Sequence, residues 1–265
     1  MIYSELTSPE IGRIAPDTIA VLPTASIEQH GDHLPVNTDT AIGTELGRRV
    51  EAALPDKVAL LPTLWCGSSH HHLTFPGLIS LRSETFINVL EDILDCLIKS
   101  GFKRVFILNA HGGNQIPFSE ALYRVHLKHR GENEPWIAAA SHWGIAAEEL
   151  KNQKFMETSS LSHACEYETS MMLAIRTDWV RKDLSRGGST SGTSEFYHPE
   201  LPGTSKVVVH ESLDQFSTNG ALGSPELATV EKGQKLYELT TSVIVKFLLE
   251  FSKWERRPEG KNFNK

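Results

Sequence analysis

Between residues 27 and 40 the run IEQHGDHLPVNTDT gathers Glu28, His30, His33 and Asp39 into a stretch bounded by turn-forming residues. Carboxylate oxygen and imidazole nitrogen are the donors that suit zinc, manganese or iron in a hydrolytic site. With a single residue between them, Glu28 and His30 leave an extended backbone on the same side and can face one ion. An isolated E-x-H is more often a solvated loop pair, since both residue types are common on surfaces. The weight of the pattern therefore depends on what else the fold brings beside it.

Apolar, β-branched runs at 18–23 (TIAVLP), 58–62 (VALLP), 104–109 (RVFILN) and 136–140 (WIAAA) read as short buried strands, each ending near Pro, Asn, Ser or Gly. Helical spacing covers 40–53, 83–100 and 115–130. In the second of these Phe86, Val89, Leu90, Ile93, Leu97 and Ile98 share a face, Ser83 is placed to cap the start and Gly101 to end it. Further helices are expected over 168–176 and about 225–254. This alternation, with near-continuous apolar strands, implies an α/β fold with a mainly parallel sheet covered on both faces. The stretch 182–224, rich in Gly, Ser, Thr and Pro, reads as a surface excursion, a lid or an oligomer contact.

In such sheets ligands collect beyond the carboxyl ends of the strands. The polar clusters fall there: ASIEQH after the first strand, CGSSHHH after the second, AHGGN after the third and SHWG after the fourth. His111 leaves its strand beside Gly112 and Gly113, which allow a sharp turn; without a P-loop lysine or GxGxxG spacing the segment is no phosphate cradle. Its histidine reads as a ligand or catalyst. The segment SHACEYETS supplies His163, Cys165, Glu166 and Glu168 just before a helix. Sequence neighbours rarely have nucleophile–base geometry, so Cys165 reads as apolar filler rather than a thiol nucleophile. Glu168 is either a site residue or a first-turn carboxylate favoured by the helix dipole.

Composition narrows the classes. Hydrophobic residues make up 40% and charged residues 22% of 265, with a net charge of −7 and no basic block except the short KWERR, so nucleic acid is disfavoured as a partner. No apolar run approaches the roughly 20 residues that cross a bilayer, and the start has no signal-peptide pattern, which leads to the expectation of a cytoplasmic protein without membrane contact. Cys66, Cys96 and Cys165 are odd in number and widely spaced, against a disulfide framework. Twelve histidines are many for this length, and three are consecutive, His70 to His72.

Taken in order and spacing, SIEQHGDHLPVNTDT, HHHLTFPGLISL, NAHGGN and HACEYETS resemble the creatininase family, the creatinine amidohydrolase-like metal hydrolases. The resemblance implies one three-layer α/β/α domain over 1–254 and a homo-oligomer, a hexamer in this family, while the terminal residues, 255–265, read on their own as a disordered tail. It also implies two divalent ions, zinc or manganese with iron as a further choice, sharing a bridging water or hydroxide. Carried over by motif, Glu28 and His111 hold one metal, His30 and Glu166 the other, and Asp39 bridges both; His163 aligns with the histidine that passes a proton to the leaving nitrogen. His72, three residues before the Phe75-Pro76-Gly77 turn, is placed at the mouth of the substrate pocket, and His70 and His71 are expected to be ordinary loop residues. Leu78 stands where the family often has Thr, making the nearby backbone less polar.

One departure matters. Creatinine-hydrolysing members are similar to H-Y-E-N at the third motif, where Glu is a ligand; here the residues are His111, Gly112, Gly113 and Asn114. The missing carboxylate is then expected from Glu166, as in the H-A-G-E branch, which argues against creatinine itself. The expectation is a hydrolase that opens a small cyclic amide or related C–N bond in a small-molecule substrate. The rivals are hydrolysis of a cyclic ketone or lactone derived from a sugar or inositol, and a non-catalytic metal-binding assembly protein.

Overall fold

The computed structural model describes residues 1–131, 134–158, 161–189, 194–197 and 205–255. Four parallel strands, β1 (Ile19–Thr24), β2 (Val58–Leu60), β3 (Arg104–Asn109) and β4 (Trp136–Ser141), lie in the order β2-β1-β3-β4. Ile19 pairs with Val58 on one side and Arg104 on the other, and Arg104 pairs with Trp136. The chain leaves β1 toward β2 but leaves β3 toward β4, so the loops after these adjacent strands part in opposite directions. A crevice opens between them at the carboxyl edge of the sheet, the switch point where open α/β sheets bind ligands.

The helices are α1 (Ser8–Ile14), α2 (Thr38–Ala53), α3 (Ser83–Lys99), α4 (Gln115–Lys128), α5 (His142–Ile145), α6 (Ala147–Asn152), α7 (Glu166–Arg176) and α8 (Val230–Phe251). Strand side chains alternate between two cores, as a period of two requires. Ile19, Val21, Phe106 and Leu108 pack with Ile42, Leu46, Met171, Leu236 and Ile244 beneath α2, α7 and α8. Ala20, Leu22, Val105 and Ile107 pack with Phe86, Leu90, Leu94 and Val125 beneath α3 and α4. The result is the expected three-layer α/β/α arrangement. Burying a side chain such as Leu90 contributes roughly 1.5–3 kcal/mol, so each layer is held mainly by its apolar stripe.

Element boundaries shift where side chains find other partners. Ser83 begins α3 but its Oγ meets Ser68 Oγ at 3.1 Å instead of capping the helix, while Gly101, at φ +102°, ends the helix as expected. The face of α3 that is buried uses Phe86, Ile87, Leu90, Leu94 and Leu97, leaving Val89 and Ile98 at its edges. Helix α7 starts two residues before the expected position, which places both Glu166 and Glu168 in its first turn. Apart from residue 255, the expected tail lies outside the described residues. No helix among the described residues is long and apolar enough to cross a membrane.

Candidate metal centre

Thr24 ends β1, and the chain then turns back on itself through Gly31, at φ +67°, before entering α2 at Thr38. A Cβ on Gly31 would lie 2.9 Å from the Ala221 methyl, so both the conformation and the space require glycine. The hairpin-like return sets Asp39, in the first turn of α2, opposite Glu28 and His30, and β3 delivers His111 from the neighbouring strand. All four side chains are buried.

Asp39 stands between two imidazoles. Its Oδ1 lies 3.0 Å from His30 Nε2 and its Oδ2 lies 3.2 Å from His111 Nδ1. Glu28 Oε2 lies 3.1 Å from the same His111 nitrogen, and Glu168 Oε2 lies 3.8 Å from His30 Nε2. Donor atoms of Glu28, His30 and Asp39, and those of His30, His163 and Glu168, fall within 4.8 Å of one another. These two sets share His30, and Asp39 turns one carboxylate oxygen to His30 and the other to His111.

The outer ring nitrogens identify what the inner ones are for. His111 Nε2–H donates to the Ser68 carbonyl at 3.1 Å, and His30 Nδ1–H donates to the Glu28 carbonyl at 3.2 Å. In each neutral ring the remaining nitrogen is then a lone pair facing carboxylates, an arrangement that invites a cation between them. His30 Nε2 and Asp39 Oδ2 are fully buried with no well-directed hydrogen bond among the described residues. A buried polar atom without a partner costs about 1–3 kcal/mol, and more when charged, so the chain's own groups leave this cluster incomplete. Its residues fit a divalent-cation centre in donor type and in these orphaned atoms.

The charges agree. Burial raises Glu28 and Asp39, but the surrounding imidazoles, His111 and His72 for Glu28 and His30 for Asp39, hold both below the usual carboxylate range. Burial lowers His30, yet Asp39, Glu168 and Glu28 outweigh it and bring the ring up to about 9; the same contest leaves His111 well above its ordinary value. Burial, with Asp39 and Glu28 and against His30, pushes Glu168 up to about 7. Without a cation the cluster balances its charge with protons, which a cation entering it must displace.

A buried amide network holds the rim. Asn109 accepts from Thr24 Oγ1 at 3.1 Å and donates to the His111 carbonyl at 2.6 Å and to Ser141 Oγ at 3.1 Å. Asn114 accepts from the Ser68 N–H at 2.9 Å and donates to the Ala25 carbonyl at 3.1 Å. The loops after β1, β2 and β3 are thereby joined, and Ser69 Oγ donates a short hydrogen bond to Glu28 Oε2. No local pattern in the sequence signals Asn109, Asn114 and Ser69, because the contacts that join the loops, to Thr24, Ala25 and Glu28, span 41 or more residues.

The expected ligand Glu166 is corrected by the structure. Its carboxylate accepts from the Thr158 N–H at 2.8 Å, Thr158 Oγ1 at 2.7 Å, the Glu157 N–H at 3.1 Å and Lys232 Nζ at 2.6 Å. It is committed to tying the 157–158 segment to α8. On a helix, residues two apart point about 200° apart around the axis, so only one of Glu166 and Glu168 can face the centre. That one is Glu168, whose Oε2 also accepts the Ala164 N–H at 2.6 Å; it therefore serves both readings left open for it, first-turn carboxylate and site residue.

Ala164 has φ +52°, the left-handed region that a residue with a Cβ rarely occupies. The turn it makes sets His163 against His30, with ring centroids 4.2 Å apart. His163 Nε2–H donates to the Gln29 carbonyl at 2.7 Å, leaving Nδ1 turned to Glu28 Oε1 at 3.7 Å. Burial, with His30 and His72 adding to it, holds His163 well below the usual imidazole range, so the ring is neutral. His72 is buried too, its Nε2 3.4 Å from Glu28 Oε1 and its Nδ1 2.8 Å from Gln29 Nε2, so it belongs to the wall of the centre. His33 instead turns its Nε2 to Thr169 Oγ1 at 2.8 Å. Cys165 is buried and its thiol pushed up to about 11 by burial, as suits filler.

The sequence profile of the creatininase family, described as creatinine amidohydrolase, matches residues 4–248. The chain belongs to the creatininase family. It is 28% identical over 91% of its length to the mycofactocin precursor peptide peptidase of Mycobacterium ulcerans, covering 87% of that protein. It is 26% identical to the creatinine amidohydrolase of Pseudomonas putida, covering 94% of this chain and 96% of that one. It is 24% identical to the 3-dehydro-scyllo-inosose hydrolase of Thermotoga maritima, covering 92% and 80%. Its fold matches a mutant creatininase of Zn–Zn type with a TM-score of 0.77 at 24% identity, over 95% of this chain and 98% of that one. A manganese creatininase matches with a TM-score of 0.74 at 23% identity, over 95% and 98%.

Proposed function

We propose that this creatininase-family chain is a hydrolase of amide C–N bonds, acting on a small cyclic amide or a related carbonyl compound at a centre of two divalent cations. The observation that carries the reading is the pair of imidazoles, His30 and His111, each tied through its outer nitrogen to a backbone carbonyl while its inner nitrogen faces carboxylates. Glu28 and His111 would hold one cation, His30 and Glu168 the other, with Asp39 shared. When bound, such cations supply Lewis acidity, polarising a carbonyl and making water nucleophilic at neutral pH.

The chain's own groups do the rest. His163, neutral and with Nδ1 free toward the centre, accepts a proton from the attacking water and delivers it to the departing nitrogen. The Gln29 side chain orients the wall of the site: its Oε1 accepts the Gly31 N–H at 2.8 Å, so its amide nitrogen donates to His72 Nδ1 and the Gly220 carbonyl. His72 then accepts at Nδ1 and keeps its proton on Nε2, toward Glu28. Gly220 makes this packing feasible, because a Cβ there would meet Gln29 Oε1 at 1.9 Å.

The mycobacterial and Thermotoga relatives act, by name, on a peptide and on an oxidised cyclitol, so the same centre serves a cyclic ketone as a second reading. Zinc- or manganese-loaded protein is incubated with cyclic amides, short peptides and oxidised cyclitols, and products are followed by mass. Gain of one water by a cyclic amide, abolished by His163→Ala, is the expected result. Turnover confined to the cyclitols would replace the amide reading, and no turnover of any class with both cations bound would favour a non-catalytic metal protein.

A further inference from the structure

Residues His70 to His72 form one 3-10 turn, and its three imidazoles have different fates. His70 is exposed and meets Ser80 Oγ at 3.1 Å, and His72 is buried against Gln29 and Glu28. His71, expected to be an ordinary loop residue, instead lies half-buried over the centre. Its ring stacks on that of His111, with centroids 5.7 Å apart and planes 11° from parallel. One of its ring nitrogens lies within 4.8 Å of donor atoms of both Glu28 and His111, which lie equally close to each other. No hydrogen bond to another described residue ties either nitrogen down.

The place His71 occupies is made by the absence of a side chain. A Cβ on Gly113 would lie 2.2 Å from the Ser68 carbonyl oxygen, 2.5 Å from His111 Nε2 and 2.9 Å from His71 Cε1. Backbone and two imidazoles already fill that space, so glycine at 113 is what lets the 68–72 loop close down and bring His71 to the His111 ring.

We propose that His71 is a further protein ligand of the cation held by Glu28 and His111, binding through one ring nitrogen. The proposal rests on reading the cluster as a metal centre. It makes the two positions unequal. The Glu28 position takes two imidazoles and two carboxylates, counting Asp39, and is closed by protein donors. The His30 position has one imidazole and two carboxylates, and keeps room for substrate, the pattern that separates structural from catalytic coordination.

Cobalt(II) added to metal-free protein reports both positions through affinity and visible absorption. Wild type should take up a pair of cobalt ions of unequal affinity. His71→Gln, checked by its melting in chelator against wild type, should loosen the tighter equivalent by more than about tenfold, since loss of even an outer-shell partner costs roughly 10–100-fold, and should change its absorption band. His71→Cys should retain that equivalent and add a thiolate-to-cobalt charge-transfer band in the near ultraviolet, a signature that a packing role for residue 71 does not produce. Unchanged affinities and spectra in His71→Gln, with no charge-transfer band in His71→Cys, would overturn the proposal while leaving the centre intact. Failure of wild type to bind cobalt would overturn both.

Discussion

Two buried charge clusters are built from the same turn of α7, and they are completed in different ways. Glu166 meets Lys232, two backbone N–H groups and a hydroxyl, so its charge is matched within the chain. Glu168, two residues on, joins Glu28 and Asp39 among imidazoles, where His30 Nε2 and Asp39 Oδ2 are left without a well-directed hydrogen bond. The first cluster is an anchor that needs nothing from outside. The second is balanced only by protons or by cations, and that incompleteness separates a functional centre from a structural ion pair of similar burial.

The largest expected effect comes from the shared carboxylate. Asp39→Ala should abolish retention of both cations and lower turnover by at least about a thousandfold, at or beyond the scale of losing one electrostatic stabiliser. Retention of both metals with full activity would show that Asp39 bridges nothing. Glu168→Gln should cost about a hundredfold or more in kcat, whereas Glu166→Gln should change kcat by less than about threefold while lowering unfolding stability by about 2 kcal/mol through weakened charge-assisted hydrogen bonds, Lys232 keeping Glu157 and the Leu227 carbonyl. Steady-state rates beside denaturant melts check both; the reverse pattern would merge the two clusters into one.

Smaller effects follow from protons. His30 sits at about 9 without a cation, so below that pH a cation must displace its proton, and affinity should weaken as pH falls. Uptake at pH 7 should release protons, detectable by a pH-indicator dye in weak buffer; no release would contradict the charge balance. Glu166 behaves oppositely. Burial would raise it, but Lys232, Thr158 and two N–H groups hold it below its ordinary 4.5, so its stabilising share is whole above that pH and lost as pH falls through the lower folded value. Acid unfolding of Glu166→Gln should lack that limb.

The fold is legible because β1 from Ile19 to Pro23 and β3 from Val105 to Leu108 are apolar at every position on both faces, as a sheet covered twice requires. Glu28, His30, Asp39 and His111 are legible because each lies in the loop that follows a strand end or at a helix start. The choice of Glu166 over Glu168 failed because the motif gives order along the chain, whereas the first turn of α7 decides direction around an axis. His71 carries no local signal, since its place depends on the space left at Gly113, 42 residues away. The 182–224 excursion reads on sequence as a lid or an oligomer contact, yet Gly220 and Ala221 pack against Gln29 and Gly31 and so form part of the site wall.

Whether Glu168 rather than Glu166 completes the centre is decided by counting cations per chain, by elemental analysis after gel filtration, in wild type, Glu166→Gln and Glu168→Gln. Two in wild type, two in Glu166→Gln and one or fewer in Glu168→Gln is the predicted result. A full complement in Glu168→Gln together with loss in Glu166→Gln would contradict it.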